Sequence, residues 1–261
     1  MATADPPVFA PLTADAHGRV CIVGAGIAGL TTAYRLAKAG VDVIVLEEHD
    51  LHAGQTARTT GHLCDALDDR YFDLEQLHGE HGARMAAHSH GVAVDTIQHI
   101  CAEEGIDCGF ARVDGFLVRG ENDGKPGLLE RERDAARRAG IDVEIVDAPP
   151  GAMAGFGQAL RFPRQARFHA LEYTTGLARA IVALGGRIHT GTRVDTIDGG
   201  ANAGATAANG ARVQADAVVV ATNVPFNDRL AIHTKQAAYR TYVIALRLDP
   251  GAVPDVLLWD T

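Results

Sequence analysis

The run Val20-Cys21-Ile22-Val23-Gly24-Ala25-Gly26-Ile27-Ala28-Gly29 constrains the fold of this chain more than any other stretch. A short apolar run ending in a turn reads as a buried strand, and the spacing of Ile27, Leu30, Tyr34 and Ala37 behind it reads as a helix. Gly40 stands where a glycine closes such a helix. Val41 to Leu46 is a second buried strand, and it ends at Glu47 and Glu48. Strand, glycine turn, helix and strand within about 30 residues make a βαβ unit, so the expected class is α/β with a parallel sheet.

Each glycine of a G-x-G-x-x-G turn has its own task. Gly24 makes the tight turn, Gly26 admits a pyrophosphate close to the backbone, and Gly29 lets helix and strand approach. The helix start, with Ile27 and Ala28, offers unpaired amides to a phosphate pair. Glu47 follows Gly24 by 23 residues and sits at a strand end. Its carboxylate can accept two hydrogen bonds from a ribose diol and would repel a 2′-phosphate. This fingerprint fits FAD and NAD alike. The loop Gly54-Gln55-Thr56-Ala57-Arg58-Thr59-Thr60-Gly61-His62, rich in hydroxyls and small residues, favours FAD. It follows the second strand on the ligand side of the sheet and can offer donors to a pyrophosphate and a flavin edge; the plain alternative is a solvated turn.

Further elements follow from periodicity. A helix is expected over Asp73 to Glu104, with Met85, Val92, Ile97 and Ile100 on one side and Gly79 and Gly82 interrupting it early. Two short strands (Phe110 to Val113 and Phe116 to Val118), a charged helix (Leu128 to Ala139) and a strand (Val143 to Val146) come next. Leu171 to Leu184 reads as a helix aligning Thr174, Leu177, Ile181 and Leu184. Val194 to Ile197 and Arg212 to Ala215 read as a hairpin around the segment Gly199 to Gly210. Ala217 to Ala221 is a third buried strand, and Tyr242 to Leu248 a last one.

Composition removes several function classes. Twenty-four Lys and Arg against 33 Asp and Glu give a net charge of −9, which argues against nucleic acid as a partner. Four scattered cysteines without a CxxC pair fit a reducing compartment. No stretch approaches the roughly 20 apolar residues of a membrane span. The first residues lack a basic start followed by an apolar run, so a cytoplasmic protein without a membrane partner is expected. His78, His81, His88, His90 and His99 suggest a metal, but only Glu75-x-x-His78 makes a carboxylate–histidine pair, and a two-metal bundle needs that motif twice. A solvated helical face and no metal are expected. Cys64, Cys101 and Cys108 read as core residues.

Several stretches resemble FAD-dependent oxidoreductases of the glycine/D-amino-acid oxidase type, and among them the bacterial branch with a Rieske iron–sulfur domain after the flavin portion. They are VCIVGAGIAGLTTAYRLAKAG, GQTARTTGHL with the following LDDRY, RFHALEYTTGLARAIVALGGRIHTGTRV and ADAVVVATNVPFND. The resemblance implies FAD as cofactor, with Gly24, Gly26 and Gly29 at its pyrophosphate and Glu47, with Glu48 beside it, at the adenosine ribose. It places Gln55, Thr56, Arg58, Thr59, Thr60 and His62 along the pyrophosphate and flavin, the backbone of Val194 at the adenine edge, and Ala221, Thr222 and Asn223 at a strand end beside the cofactor. Ala170 stands where the family has proline.

The expected architecture is a discontinuous Rossmann-like FAD-binding domain (15–105 and 167–225) with an incomplete mixed α+β substrate domain (106–166 and 226–261). The expected function is oxidation of a small amine or amino-acid-like substrate by hydride transfer to the flavin. Nothing after Asn223 matches the family's late glycine-rich FAD contacts, and the Rieske ligand pairs are absent, so an N-terminal portion of a longer enzyme is expected. Its C-terminal half or a Rieske domain would then be a partner. The alternatives are a non-catalytic FAD- or nucleotide-binding fragment that needs a partner chain and, third, an NAD-dependent dehydrogenase. Arg164, Arg167, His169, Arg240 and Tyr242 are candidates for holding substrate; no residue has a readable catalytic role.

Overall fold

The computed structural model describes residues 4–120, 127–224 and 242–261. In chain order the strands and helices are β1 (Ala16–His17), β2 (Val20–Val23), α1 (Ile27–Lys38), β3 (Val43–Leu46), β4 (His62–Leu63), α2 (Tyr71–Glu104), β5 (Ala111–Val118), α3 (Leu128–Arg138) and β6 (Glu144–Val146). There follow β7 (Ala159–Arg167), α4 (Ala170–Ala183), β8 (Arg187–His189), β9 (Val194–Asp198), β10 (Gly204–Ala207), β11 (Arg212–Gln214), β12 (Ala217–Val220) and β13 (Leu257–Asp260). The chain forms two compact units, one of residues 1–60, 106–108 and 169–241, the other of 61–105, 109–168 and 242–261.

The first unit holds a parallel sheet in the order β12-β2-β3-β8. β2 and β3 pair in register from Val20↔Val43 to Val23↔Leu46, and all four residues of β3 are buried. That is why these strands read as continuous apolar runs rather than as alternating ones. α1 buries Gly29, Leu30, Ala33, Tyr34 and Ala37, a stripe at helical spacing. It packs against α4, whose Tyr173, Leu177 and Ile181 are fully buried, each worth about 1.5–3 kcal/mol of apolar transfer where the side chain is aliphatic. A second sheet has the order β1-β11-β10-β9.

Two expectations change in this unit. The segment between Val194 and Ala215 forms three antiparallel strands rather than a hairpin, because Gly204–Ala207 pairs on both edges. Alanine and glycine hid that strand; a Cβ on Gly204 would lie 2.5 Å from the Val213 carbonyl oxygen, so the position tolerates no larger residue. The third strand forms as β12 and pairs with β2, but among the described residues it lies at the sheet edge and is only partly covered rather than buried, with Val220 49% exposed.

The second unit is built on the sheet β13-β5-β7-β4, with β6 sharing the β4 edge of β7. The two short strands expected between Phe110 and Val118 are one strand, β5, whose pairing with β7 shifts register between Val113 and Gly115. α2 kinks at Gly79 (φ 72°, ψ 168°), as the glycine implied, whereas Gly82 stays helical. Its core side carries Ala83, Ala87, Val94, Ile97 and Ile100, while Met85 and Val92 are exposed. The expected strand Tyr242–Leu248 does not form; these residues are exposed and carry no ladder. A strand needs a neighbour for its amides and carbonyls, and the strand that forms late in the chain is β13, parallel to β5.

Candidate cofactor site

The candidate site lies at the carboxyl ends of β2, β3 and β12. Gly24 has φ 105°, where a side chain would be strained, and a Cβ there would meet the Ala221 carbonyl oxygen at 2.5 Å. On Gly29 a Cβ would come within 1.9 Å of the Gly24 carbonyl oxygen. These two glycines are therefore fixed by packing. Gly26 is different: it precedes the first turn of α1, and its absent Cβ would touch Thr56 Oγ1 at 3.3 Å. α1 has no acidic residue in its first turn and no side chain capping from Gly26, which leaves its amino end open to an anion.

Two side chains reach into this turn. Glu47 Oε2 accepts the Ala25 amide at 2.7 Å, and Oε1 accepts the His49 amide at 3.1 Å. Thr56, in the short 3₁₀ turn Gln55–Arg58, accepts the Ile27 amide at 3.2 Å on its hydroxyl oxygen, so its own proton is free to donate outward. Arg58, Thr59 and Thr60 are exposed beside it, as is Ala28 at the helix start. Glu48 is exposed and faces Arg193 at 4.0 Å. Val194 is buried at the start of β9. Ala221 donates its amide to Val23, continuing the β12 ladder, and Asn223 takes a left-handed conformation (φ 63°) directly after it.

The first unit thus brings together Gly24, Gly26, Ile27, Ala28, Gly29, Glu47 and Thr56, with Gln55 and Ala221 on adjoining turns. His62 belongs to the second unit, where β4 pairs it with Arg167. Among the substrate candidates, Arg167 is held by Asp255 through two nitrogens at 2.6 and 2.7 Å. His169 caps α4, its Nδ1 accepting the Glu172 amide. Arg240 lies outside the described residues.

Sequence reading missed two polar clusters. In the first unit, His52 Nε2 lies 3.2 Å and 3.3 Å from the hydroxyls of Thr174 and Thr175, while its Nδ1 is buried without a partner. Desolvation, then the neighbouring His169, push its pKa below 6.5. In the second, buried Gln165 accepts the Asp65 amide at 2.9 Å and donates to Asp65 Oδ1 at 2.7 Å and to the Pro163 carbonyl at 3.0 Å. Tyr71 donates its hydroxyl to the Asp65 carbonyl at 2.5 Å. Burial raises the pKa of both Asp65 and Tyr71. The partners are 100 residues apart, and no local pattern announces them.

A parallel sheet with a glycine turn and an acidic strand end beneath an open helix terminus defines a dinucleotide-binding protein. The chain belongs to the DAO family of FAD dependent oxidoreductases, whose model matches residues 19–260. It is 30% identical over 244 residues to the Rieske 2Fe-2S iron-sulfur protein YhfW of Bacillus subtilis, covering 93% of this chain and 48% of the relative. It is 31% identical over 216 residues to gamma-glutamylputrescine oxidoreductase of Escherichia coli, covering 81% of this chain and 50% of the relative. Glycine oxidase from Geobacillus kaustophilus shares the fold at a TM-score of 0.63 and 19% identity, over 79% of this chain and 55% of that one. The chain spans about half the length of these relatives. Among the described residues no helix is long and apolar enough to cross a membrane, and no group of three or more His, Cys, Asp or Glu is placed to hold a metal.

Proposed function

We propose that this chain binds FAD and forms the flavin-holding portion of an oxidoreductase acting on a small amine or amino-acid-like substrate. The observation that carries the reading is the open amino end of α1, with Glu47 and Thr56 both bonded to its turn. Gly26 leaves room for the pyrophosphate, and the Ala28 amide, with the hydroxyl proton of Thr56 that the Ile27 amide leaves free, would donate to it. Each Glu47 oxygen accepts one backbone amide and keeps a lone pair for a ribose hydroxyl; Glu48 lies at the same strand end. Gln55, Arg58, Thr59, Thr60 and His62 would line the remaining phosphate and ring edge. Ala221, Thr222 and Asn223 would pass beside the cofactor, and the Val194 backbone would meet the adenine.

FAD, when bound, supplies the hydride acceptor. The chain's own residues then bind and orient it: the glycines set the approach, the amides neutralise phosphate charge, and Glu47 fixes the ribose. The likeness to the Rieske protein supports a further part of the proposal, that electrons leave toward an iron–sulfur centre in a longer polypeptide or a partner. Assignment of residues 15–105 and 167–225 to FAD binding, with the remainder forming part of a substrate domain, belongs to the same proposal.

The test is the visible spectrum of the purified chain with added FAD. A two-banded flavin spectrum that survives gel filtration is expected. Protein that leaves the column colourless, in parallel with a calorimetric response to NADH alone, would replace this reading with that of a nicotinamide-binding domain.

A further inference from the structure

Thr190 and Thr192 are buried in the loop between β8 and β9, and buried hydroxyls need partners. The backbone of residues 5–12 supplies them. Thr190 donates its hydroxyl to the Phe9 carbonyl at 2.7 Å, and Thr192 Oγ1 accepts the Leu12 amide at 2.9 Å. His189 Nδ1 donates to the Ala10 carbonyl at 3.1 Å, and Asn209 Nδ2 donates to the Leu12 carbonyl at 2.7 Å. The Leu12 side chain is only 3% exposed and shares a core with Leu46 and Val194. Residues 5–12 thus form a strap across the carboxyl end of β8, and they precede the family match, which begins at residue 19.

The same loop grips the acidic end of β3. The Glu47 amide donates to the His189 carbonyl at 2.9 Å, the Thr192 amide to the Glu47 carbonyl at 2.7 Å, and the Gly191 amide to the His49 carbonyl at 3.2 Å. His189 and Thr192 therefore each bond the strap through a side chain and Glu47 through the backbone. Gly191 between them has φ 59°, and a Cβ there would meet the Pro11 Cβ of the strap at 4.0 Å. Leu46, packed with Leu12, directly precedes Glu47. All of these residues belong to the first unit. A strap that lifts takes the partners from two buried hydroxyls and loosens the loop that fixes Glu47.

We infer that residues 5–12 clamp the adenosine end of the cofactor site: docked, they hold Glu47 in place for the ribose, and undocked, they let the nucleotide go. Leu12 and Thr192 are positioning residues, acting on the nucleotide only through Glu47 and the loop. The role rests on the FAD reading above and adds the segment that retains the adenosine half.

Coupling of this kind is reciprocal: if the docked strap strengthens nucleotide binding, bound nucleotide holds the strap down by the same factor. The test uses the full chain with FAD and with ADP, which carries the adenosine and pyrophosphate alone. Hydrogen exchange of the Leu12 amide is expected to slow on saturation with ADP by at least about fivefold, the low end of typical coupling between sites. Thr192→Val keeps the branched shape and removes the acceptor of that amide. It should weaken ADP and FAD by a similar factor in calorimetry, while Thr192→Ser, which keeps the hydroxyl, should bind both as wild type does. Unchanged exchange with ADP bound overturns the clamp, and this measurement decides alone if Thr192→Val fails to fold. Wild-type affinity in Thr192→Val overturns it equally, as does a wild type that takes up FAD but no ADP; in each case FAD uptake leaves the flavin reading standing. A wild type that binds ADP with the expected protection and loss but takes up no FAD keeps the clamp and overturns the flavin reading. Binding of neither overturns both.

Discussion

Glu47 Oε2 sits 2.7 Å from the Ala25 amide, so the acid at the end of β3 is bonded to the glycine turn at the end of β2 before any ligand arrives. The contact orients the carboxylate and shapes the turn together. Glu47→Ala removes the acceptor for both the Ala25 and the His49 amides. Hydrogen bonds to a charged group contribute about 1.5–3 kcal/mol. We expect FAD affinity to fall at least tenfold, about 1.4 kcal/mol, with a measurable drop in melting temperature. Glu47→Gln keeps one acceptor oxygen and should lose less of each. Fluorescence titration with FAD checks both variants; unchanged affinity in Glu47→Ala would remove Glu47 from the site.

Gly29→Ala tests the packing beneath the turn. Its new Cβ would lie 1.9 Å from the Gly24 carbonyl oxygen, a backbone atom that cannot swing aside. Overpacking of this kind costs about 1–3 kcal/mol. The variant is expected to unfold at lower urea than wild type even without FAD. Gly26→Ala meets only Thr56 Oγ1 at 3.3 Å and should fold normally while binding FAD less tightly. A Gly29→Ala chain as stable as wild type would contradict the geometry.

Glu132 gives the chain a pH dependence of definite sign. It is fully buried on α3; Oε2 faces the Phe72 amide at 3.5 Å, and Oε1 has no partner. Desolvation raises its pKa above the ordinary 4.5, the amides of Tyr71 and Phe72 and the Arg70 charge oppose this, and Asp73 adds to it. As pH rises above 4.5 the unfolded chain releases this proton first, so folding stability falls across the window up to the folded-state pKa. Glu132→Gln removes that loss. We expect the variant to be more stable than wild type at pH 8 by about 1 kcal/mol or more, the cost of a buried unsatisfied group. The two should converge toward pH 4.5. His52 acts in the other direction, since its lowered pKa costs stability as pH falls below 6.5, and the variant should retain that loss. Urea titrations at a series of pH values check this; parallel curves for the two proteins would refute it.

The glycine turn, both strands of the βαβ unit and the helices were legible because their signals are local. Leu30, Tyr34 and Ala37 mark α1 by spacing, and Val43 to Leu46 mark a strand buried on both faces by their run. What escaped depends on partners far away in sequence. β10 reads as a glycine- and alanine-rich turn until β9 and β11 flank it. β7 carries Pro163 and three arginines, which disguise a nine-residue strand whose inward side chains are set by β5. The loop Gln55–His62 was recognisable by its chemistry, but the bond from Thr56 to the Ile27 amide spans 29 residues and has no sequence signature. Burial also decided where periodicity misled: Met85 and Val92 keep helical spacing with Ile97 and Ile100, yet the kink at Gly79 and the small residues Ala83 and Ala87 turn a different stripe of α2 inward.

The segment Tyr242–Leu248 has the composition of a strand and the exposure of a loop. Tyr242 and Ile244 are each 85% exposed, and Leu246 is 77% exposed. An apolar, β-prone run that pairs with no strand among the described residues is a template for pairing with another chain. We expect the purified chain to associate with increasing concentration in light scattering, and to bind a dye selective for exposed apolar surface. Ile244→Lys places a charge in the middle of the run and should suppress both effects without altering FAD uptake, since the segment takes no part in the glycine turn or its partners. A wild-type chain that stays monodisperse across the concentration range would show that this surface is not adhesive. Association that persists unchanged in Ile244→Lys would point to the partly covered edge strand β12, with Val220, as the surface responsible.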